Sequence, residues 1–245
     1  MKIYRIVLIG LLGLTFSVQA PSAFAQLKDI LNGLKKAVGI GGELSESKII
    51  DGLKEALEIG TGNAVSLVSS LDGYYKNPKI KIPLPGAVEK VEKILRGVGY
   101  GSKVDAFELS MNRAAEQAAP EAKVLFVDTI KQMSFADARK ILNGKDNEAT
   151  LYFKEKTWGR LADKFKPIVH TAMSQVGVTR YYQDLDEKVS KIPFAGKMSF
   201  DLDEYVTDGS LGGLFYMLEQ EERKIRKDPA ARVTDLLKEV FGGKR

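Results

Sequence analysis

The segment SKVDAFELSMNRAAEQA, residues 102–118, decides the fold class. Its apolar positions Phe107, Leu109, Met111, Ala114, Ala115 and Ala118 recur at helical rather than strand-like spacing. Ser102 followed by Asp105 has the spacing of a capping box, with a carboxylate one methylene shorter than usual. Asn112, Arg113 and Glu116 interrupt the small apolar residues, and Asn112 and Glu116, four apart, share a face. If that face is buried, both side chains need partners, because an unpaired buried carboxylate is costly. Paired polar groups of this kind serve general acid–base chemistry in some proteins and internal ion-pair networks in more.

Outward from this segment the helical pattern continues in both directions. Upstream, Ile49, Ile50, Leu53, Ala56, Leu57, Val65, Val68 and Leu71 form one stripe, with Ser45 in capping position. Gly60, Gly62 and Ala64 lie within the stripe, so either the helix bends there or another element packs closely. Between the two helical regions runs NPKIKIPLPG, residues 77–86, whose three prolines disfavour helix and whose Ile80 and Ile82 alternate. A short extended segment with one face on the core is expected there. Ala87, Val91, Ile94 and Leu95 then return to helix before Gly97, Gly99 and Gly101.

Downstream, Pro120 opens a helix through Val124, Leu125, Val127, Ile130 and Met133. Ser134 with Asp137 repeats the capping signal for a short helix closed by Gly144. Asp146 or Asn147 begins the next, with Thr157 capping a further one in which Pro167 is a kink. After Gly177, Val178, Tyr181, Tyr182, Leu185 and Val189 continue the pattern. Asp201 with Glu204 starts a late helix carrying Leu211, Leu214, Phe215, Leu218 and Ile225, and Asp228-Pro229 starts the last. No repeat period appears. The expected fold is all-α: a single orthogonal multi-helix domain with one short Pro-rich extended segment.

The first residues carry an address. Lys2 and Arg5 precede an apolar run over residues 6–18, and Ala23-Phe24-Ala25 supplies a small-x-small cleavage pattern. This is the layout of a secretory signal peptide, with cleavage expected between Ala25 and Gln26 and a periplasmic destination. The apolar run is shorter than the roughly 20 residues of a spanning helix. The chain has no cysteine, so it has neither a lipidation site at the cut nor a disulfide. The expected organisation is a signal peptide over residues 1–25, an amphipathic helix and Gly-rich linker over 26–43, and a helical domain over 44–242. Without Lys2 and Arg5 the formal net charge of +5 falls by two. The remaining surplus is mild and scattered through mixed-sign helices, unlike the clustered patch of a nucleic-acid binder.

Most catalytic patterns fail on composition. His170 is the only histidine, which removes the paired-histidine metal motifs. A Ser-His-Asp triad would have to use it, and its neighbours Ile168 and Val169 favour a partly buried structural role. The nucleophile elbow fails at Ser210, where Asp208 replaces the first glycine. Gly97, Gly99 and Gly101 lack the third glycine of a dinucleotide fingerprint, and no Gly-Lys pair continues as a phosphate loop. A second polar group, Glu219, Glu221, Glu222, Arg223 and Lys224, contains an i, i+4 pair between Glu219 and Arg223; paired glutamates can serve acid–base chemistry, and the structural reading is an internal ion-pair network or a solvated helix face.

At IKIPLPG (residues 80–86), MNRAAE (111–116) and EERKIR (221–226) the chain resembles a bacterial family of exported proteins, the domain of unknown function 4197. Asp128, Lys131, Gln132, Tyr152, Phe153, Lys156 and Thr157 sit where the same pattern has similar residues. The resemblance extends over about residues 44 to 241 and implies a shared helical fold and an envelope setting, with no activity attached.

Export, an all-α pattern and the failure of each catalytic motif point to a non-enzymatic periplasmic protein that binds an apolar ligand, a lipid or an envelope partner. Tyr74, Tyr75, Tyr181, Tyr182 and Phe215 are the candidates to line a groove. The alternative is a hydrolase using Glu116, with Asn112 and Arg113 orienting substrate. A third expectation is peripheral contact with the envelope surface through the amphipathic helix at residues 27–38. No metal, cofactor or nucleic-acid partner is expected.

Overall fold

A computed structural model describes residues 46–175, 187 and 201–228, all within one compact unit, Glu43–Arg245. Seven helices account for most of these residues: α1 Glu46–Ser69, α2 Gly86–Gly97, α3 Gly101–Ala118, α4 Glu121–Lys131, α5 Phe135–Asn143, α6 Glu148–Gln175 and α7 Leu202–Lys227. No strand occurs among the described residues. The fold is all-α, as the periodicity predicts. Expectations for Ser45, for residues 178–189 and for the last helix fall outside the described residues.

Helix α3 is the hub. Its apolar positions Val104, Phe107, Met111, Ala114, Ala115 and Ala118 are all buried, and it packs on α1, α2, α6 and α7. The run of alanines lets neighbouring helices approach, and larger side chains fill the space between them. Phe126 of α4 meets Phe153 of α6 at 5.2 Å and Phe215 of α7 at 6.0 Å between ring centroids, in tilted and edge-on geometry. Trp158 of α6 stacks on Phe215 at 5.6 Å. The long helices α6 and α7 share an extensive contact that completes the core.

Several helix boundaries differ from the sequence expectation. Helix α1 is unbroken through Gly60 and Gly62. Gly60 packs at ordinary distance against Ile225, and nothing approaches Gly62. Ser102 is not a cap: the Tyr100 carbonyl already accepts from Lys103 and Val104, so the helix begins before Ser102, and Asp105 turns to Arg96 of α2. Thr157 is not a cap either. Its hydroxyl donates to the Phe153 carbonyl one turn earlier, and α6 runs unbroken through both Thr157 and Pro167. The reciprocal capping box at Ser134 and Asp137 forms as expected, and Asp201 accepts from the Glu204 amide at the start of α7.

The Pro-rich stretch forms no strand. Residues 78–80 turn and residues 81–85 have no regular structure, yet Ile80, Ile82 and Leu84 are all buried. They lie against α7, where Gly209 faces Ile82 and Gly213 faces both Tyr74 and Ile80. A methyl group at Gly213 would stand 2.5 Å from Tyr74 Cε1 and 3.0 Å from Ile80 Cβ. Gly213→Ala is therefore expected to lower unfolding free energy by about 1–3 kcal/mol through overpacking. Gly212→Ala, where nothing lies within 4 Å, is expected to be neutral or stabilising by about 0.5–1 kcal/mol. Urea unfolding of the two variants makes the comparison within one helix turn.

Candidate functional site

Asn112, Arg113 and Glu116 lie together at the junction between α3 and the stretch of residues 70–85. After α1 the chain reverses at Asp72, whose φ of +68° is a left-handed conformation that aspartate tolerates better than most residues. Gly73 follows against the end of α1, where a Cβ would fall 2.4 Å from the Leu67 carbonyl oxygen. The next two amides, of Tyr74 and Tyr75, point inward and donate to Glu116 Oε1 at 3.1 and 3.3 Å. Arg113 closes the arrangement by donating to Glu116 Oε2 through one nitrogen and to Asp72 Oδ1 through another.

One turn earlier on α3, Asn112 holds the same stretch at a second point. Its Oδ1 accepts from the Ile82 amide at 2.8 Å, and its Nδ2 donates to the Ile82 and Glu108 carbonyls at 2.9 Å each. The amide side chain thus replaces the strand partner that Ile82 lacks. Asn112 is fully buried and Glu116 is 5 % exposed. Three protein donors converge on the Glu116 carboxylate, and the geometry is that of an anion used to satisfy buried backbone N–H groups.

The candidate aromatic residues are dispersed. Tyr74 is fully buried and donates its hydroxyl to the Ser210 carbonyl at 2.6 Å. Burial, and after it the nearby Glu116 carboxylate, pushes that hydroxyl well above its ordinary pKa, so it remains a donor. Tyr75 is half-buried, with Lys81 Nζ 4.8 Å and the Arg113 guanidinium 5.9 Å from its ring centroid. Phe215 is in the core. Tyr181 and Tyr182 lie outside the described residues.

A second buried carboxylate repeats the Glu116 arrangement. Glu222 of α7 accepts from the amides of Ala149 and Thr150 at 3.0 and 2.8 Å and from the Thr150 hydroxyl at 2.8 Å. These are first-turn donors of α6, so Glu222 caps a helix that lies 72 residues earlier in the chain. Arg226 then donates to Glu222 Oε1 at 2.9 Å and to the Ile141 carbonyl at 2.7 Å, tying the end of α5 to the start of α6. Of the two structural readings of this cluster, the solvated face holds for Arg223 and Lys224, which pair with Glu219 and Glu221, and the internal ion pair holds for Glu222, which is buried with Arg226.

An open groove of about 740 Å³ lies between α6 and the first turns of α7. Trp158, Ala162 and Pro167 give it an apolar wall, and Asp163, Lys166, His170, Asp203, Glu204 and Asp208 are charged or polar groups around it. His170, expected to be partly buried, is instead 64 % exposed, with Nδ1 2.7 Å from Asp203 Oδ2. The helix turns it outward because Val169 and Ala172 occupy the core side.

A family model described as "Protein of unknown function (DUF4197)" matches residues 43–242. The chain belongs to that family. Neither a curated protein nor a solved structure matches it. Within the matched region of this DUF4197 chain, residues 80–86 and 111–116 meet at Asn112, and residues 221–226 supply Glu222 and Arg226.

If Glu116 serves the fold, Glu116→Gln is expected to cost about 2–4 kcal/mol of stability, because it leaves Arg113 without its buried counter-charge. Asn112→Ala, which orphans the Ile82 amide and carbonyl, is expected to cost a similar amount, about 2–4 kcal/mol. Chemical denaturation reads both, and an unchanged midpoint for Glu116→Gln would instead mark the carboxylate as free for chemistry. Hydrogen bonds from Lys76 and then Arg113 hold the Asp72 carboxyl below its ordinary pKa. Its contribution is present above the ordinary carboxylate range and is lost as pH falls, so the stability gap between wild type and Asp72→Asn should narrow from about pH 6 to about pH 3.

Proposed function

We propose that this DUF4197 protein is exported to the periplasm and acts there without catalysis, binding an amphiphilic ligand in the groove between α6 and α7. The signal-peptide pattern over residues 1–25 supports the location. The observation that carries the binding role is the groove itself, an open concavity with an aromatic and aliphatic wall formed by Trp158, Ala162 and Pro167. Trp158 is held in place by its stack on Phe215 and by Lys154 Nζ 4.9 Å over its ring, so the wall is pre-formed.

On this reading Asn112, Arg113 and Glu116 maintain the frame rather than hydrolyse a substrate. Glu116 and Asn112 bond the backbone of Tyr74, Tyr75 and Ile82, Arg113 bridges the Glu116 and Asp72 carboxylates, and the groove draws on other residues of α6 and α7.

Trp158 is the single tryptophan of the chain, so intrinsic tryptophan fluorescence reports on the groove alone. Protein purified from the periplasm in its native state should begin at Gln26 and carry a solvent-extractable ligand visible in native mass spectra. Removing the ligand should shift Trp158 emission, and adding back the extract should reverse the shift. Ala162→Trp, which fills the groove, should abolish ligand retention with little change in melting temperature. Protein that emerges ligand-free, with emission indifferent to periplasmic lipid extract, would overturn the binding role.

A further inference from the structure

Helix α7 meets the stretch of residues 70–85 along a row of positions four apart. Gly209 faces Ile82, and Gly213 faces Tyr74 and Ile80. The next position in the row is Met217, whose sulfur accepts from Asn77 Nδ2 at 3.7 Å. Asn77 is already committed at its oxygens. Its Oδ1 accepts from the Lys79 amide at 3.1 Å, an Asx-type turn, and its backbone carbonyl accepts from the Ile80 and Lys81 amides at 3.1 and 2.8 Å. The turn thus holds its side-chain N–H group toward α7, and the acceptor it meets there is a thioether, a weak one.

Met217 is also the surface end of this row. Met111, Met133 and Met173 are at most 4 % exposed. Met217 is half-buried and lines an open groove of about 330 Å³ together with Asp72, Lys76, Asn77 and Pro78. Small polar solutes reach that groove from solvent. Met217 does not line the groove between α6 and α7, so its chemistry is separate from the ligand binding proposed there.

We infer that Met217 is a site of oxidation to methionine sulfoxide by a peroxide, with Asn77 as the donor that receives the new oxygen. A sulfur lone pair attacks one peroxide oxygen, the O–O bond breaks and the S–O bond forms. The second oxygen leaves as water after taking a proton from the first, and the two electrons lost by sulfur reduce the peroxide. Oxidation of a packed methionine ordinarily loosens its contacts, because a flexible apolar side chain becomes a polar one. At Met217 the new oxygen is a stronger acceptor beside a donor that the Lys79 amide already holds in place. A weak N–H···S contact becomes an N–H···O bond, and oxidation tightens the hold of α7 on the turn.

Mature wild-type protein treated with dilute hydrogen peroxide and mapped by peptide mass spectrometry should gain one oxygen at Met217 about tenfold faster than at Met111, Met133 or Met173. The oxidised wild type should have a urea midpoint equal to or above that of the reduced protein. In Asn77→Asp, which keeps an acceptor for the Lys79 amide and removes the donor, the same oxidation should lower the midpoint. Met217→Leu conserves the side-chain volume, so any shift that peroxide causes in it arises elsewhere and is subtracted from both. Oxidation of Met217 no faster than that of the three buried methionines would overturn the site. A midpoint lowered as much in the wild type as in Asn77→Asp would overturn the role of Asn77 and leave an ordinary exposed thioether.

Discussion

A peptide N–H brought into a protein interior without an acceptor costs about 1–3 kcal/mol, and this fold brings such groups inside in pairs. Tyr74 and Tyr75 turn their amides toward α3, and Ala149 and Thr150 turn theirs toward α7. Each pair is received by one buried glutamate, Glu116 or Glu222, and each glutamate is neutralised by an arginine on its own helix, Arg113 or Arg226. The arginines then reach on, one to Asp72 and the other to the Ile141 carbonyl. The rest of the structure depends on these two clasps. Without the first, Tyr74 does not reach Ser210 and the buried isoleucines of residues 80–82 lose their seat. Without the second, the longest helix starts with open donors against the end of α5.

Charge alone would be a poor reason to bury these groups, since the desolvation of an ion pair offsets much of its attraction. Their value is directional. A carboxylate can accept from two consecutive amides and a guanidinium at once, which no apolar side chain can do. Asn112 achieves the same end without charge, donating and accepting at a single residue of an irregular segment. Gly213 completes the arrangement from the other side by leaving room for the Tyr74 ring.

How much of this was legible in the sequence depends on how local each signal is. The helices were legible because apolar spacing is a property of one segment. The Asn112–Glu116 face stood out because two polar residues four apart in a small-residue helix must find partners if buried. Glu222 stood out only as one member of a charged cluster open to two readings, internal ion pairs or a solvated face: its partners are backbone amides on a distant helix, which no local spacing reveals. Ser102 and Thr157 misled because a hydroxyl that fits a cap also fits a helix interior, and only the neighbouring carbonyls decide. The prolines of residues 78–85 correctly excluded helix, but the alternation of Ile80 and Ile82 could not reveal that a side-chain amide stands in for a strand. The groove was not legible at all, because Trp158 and Thr207 are brought together only by the packing of α6 on α7.

The claim that buried carboxylates receive those inward-facing amides is tested most directly by amide hydrogen exchange at Tyr74, Tyr75, Ala149 and Thr150. None of the four amides sits in a regular helical i→i−4 bond, so local secondary structure gives no reason for slow exchange. The account predicts that all four exchange only with global unfolding, and that Glu116→Gln accelerates Tyr74 and Tyr75 while sparing Ala149 and Thr150. Exchange of the Tyr74 and Tyr75 amides in the wild type as fast as that of exposed loop amides would contradict it.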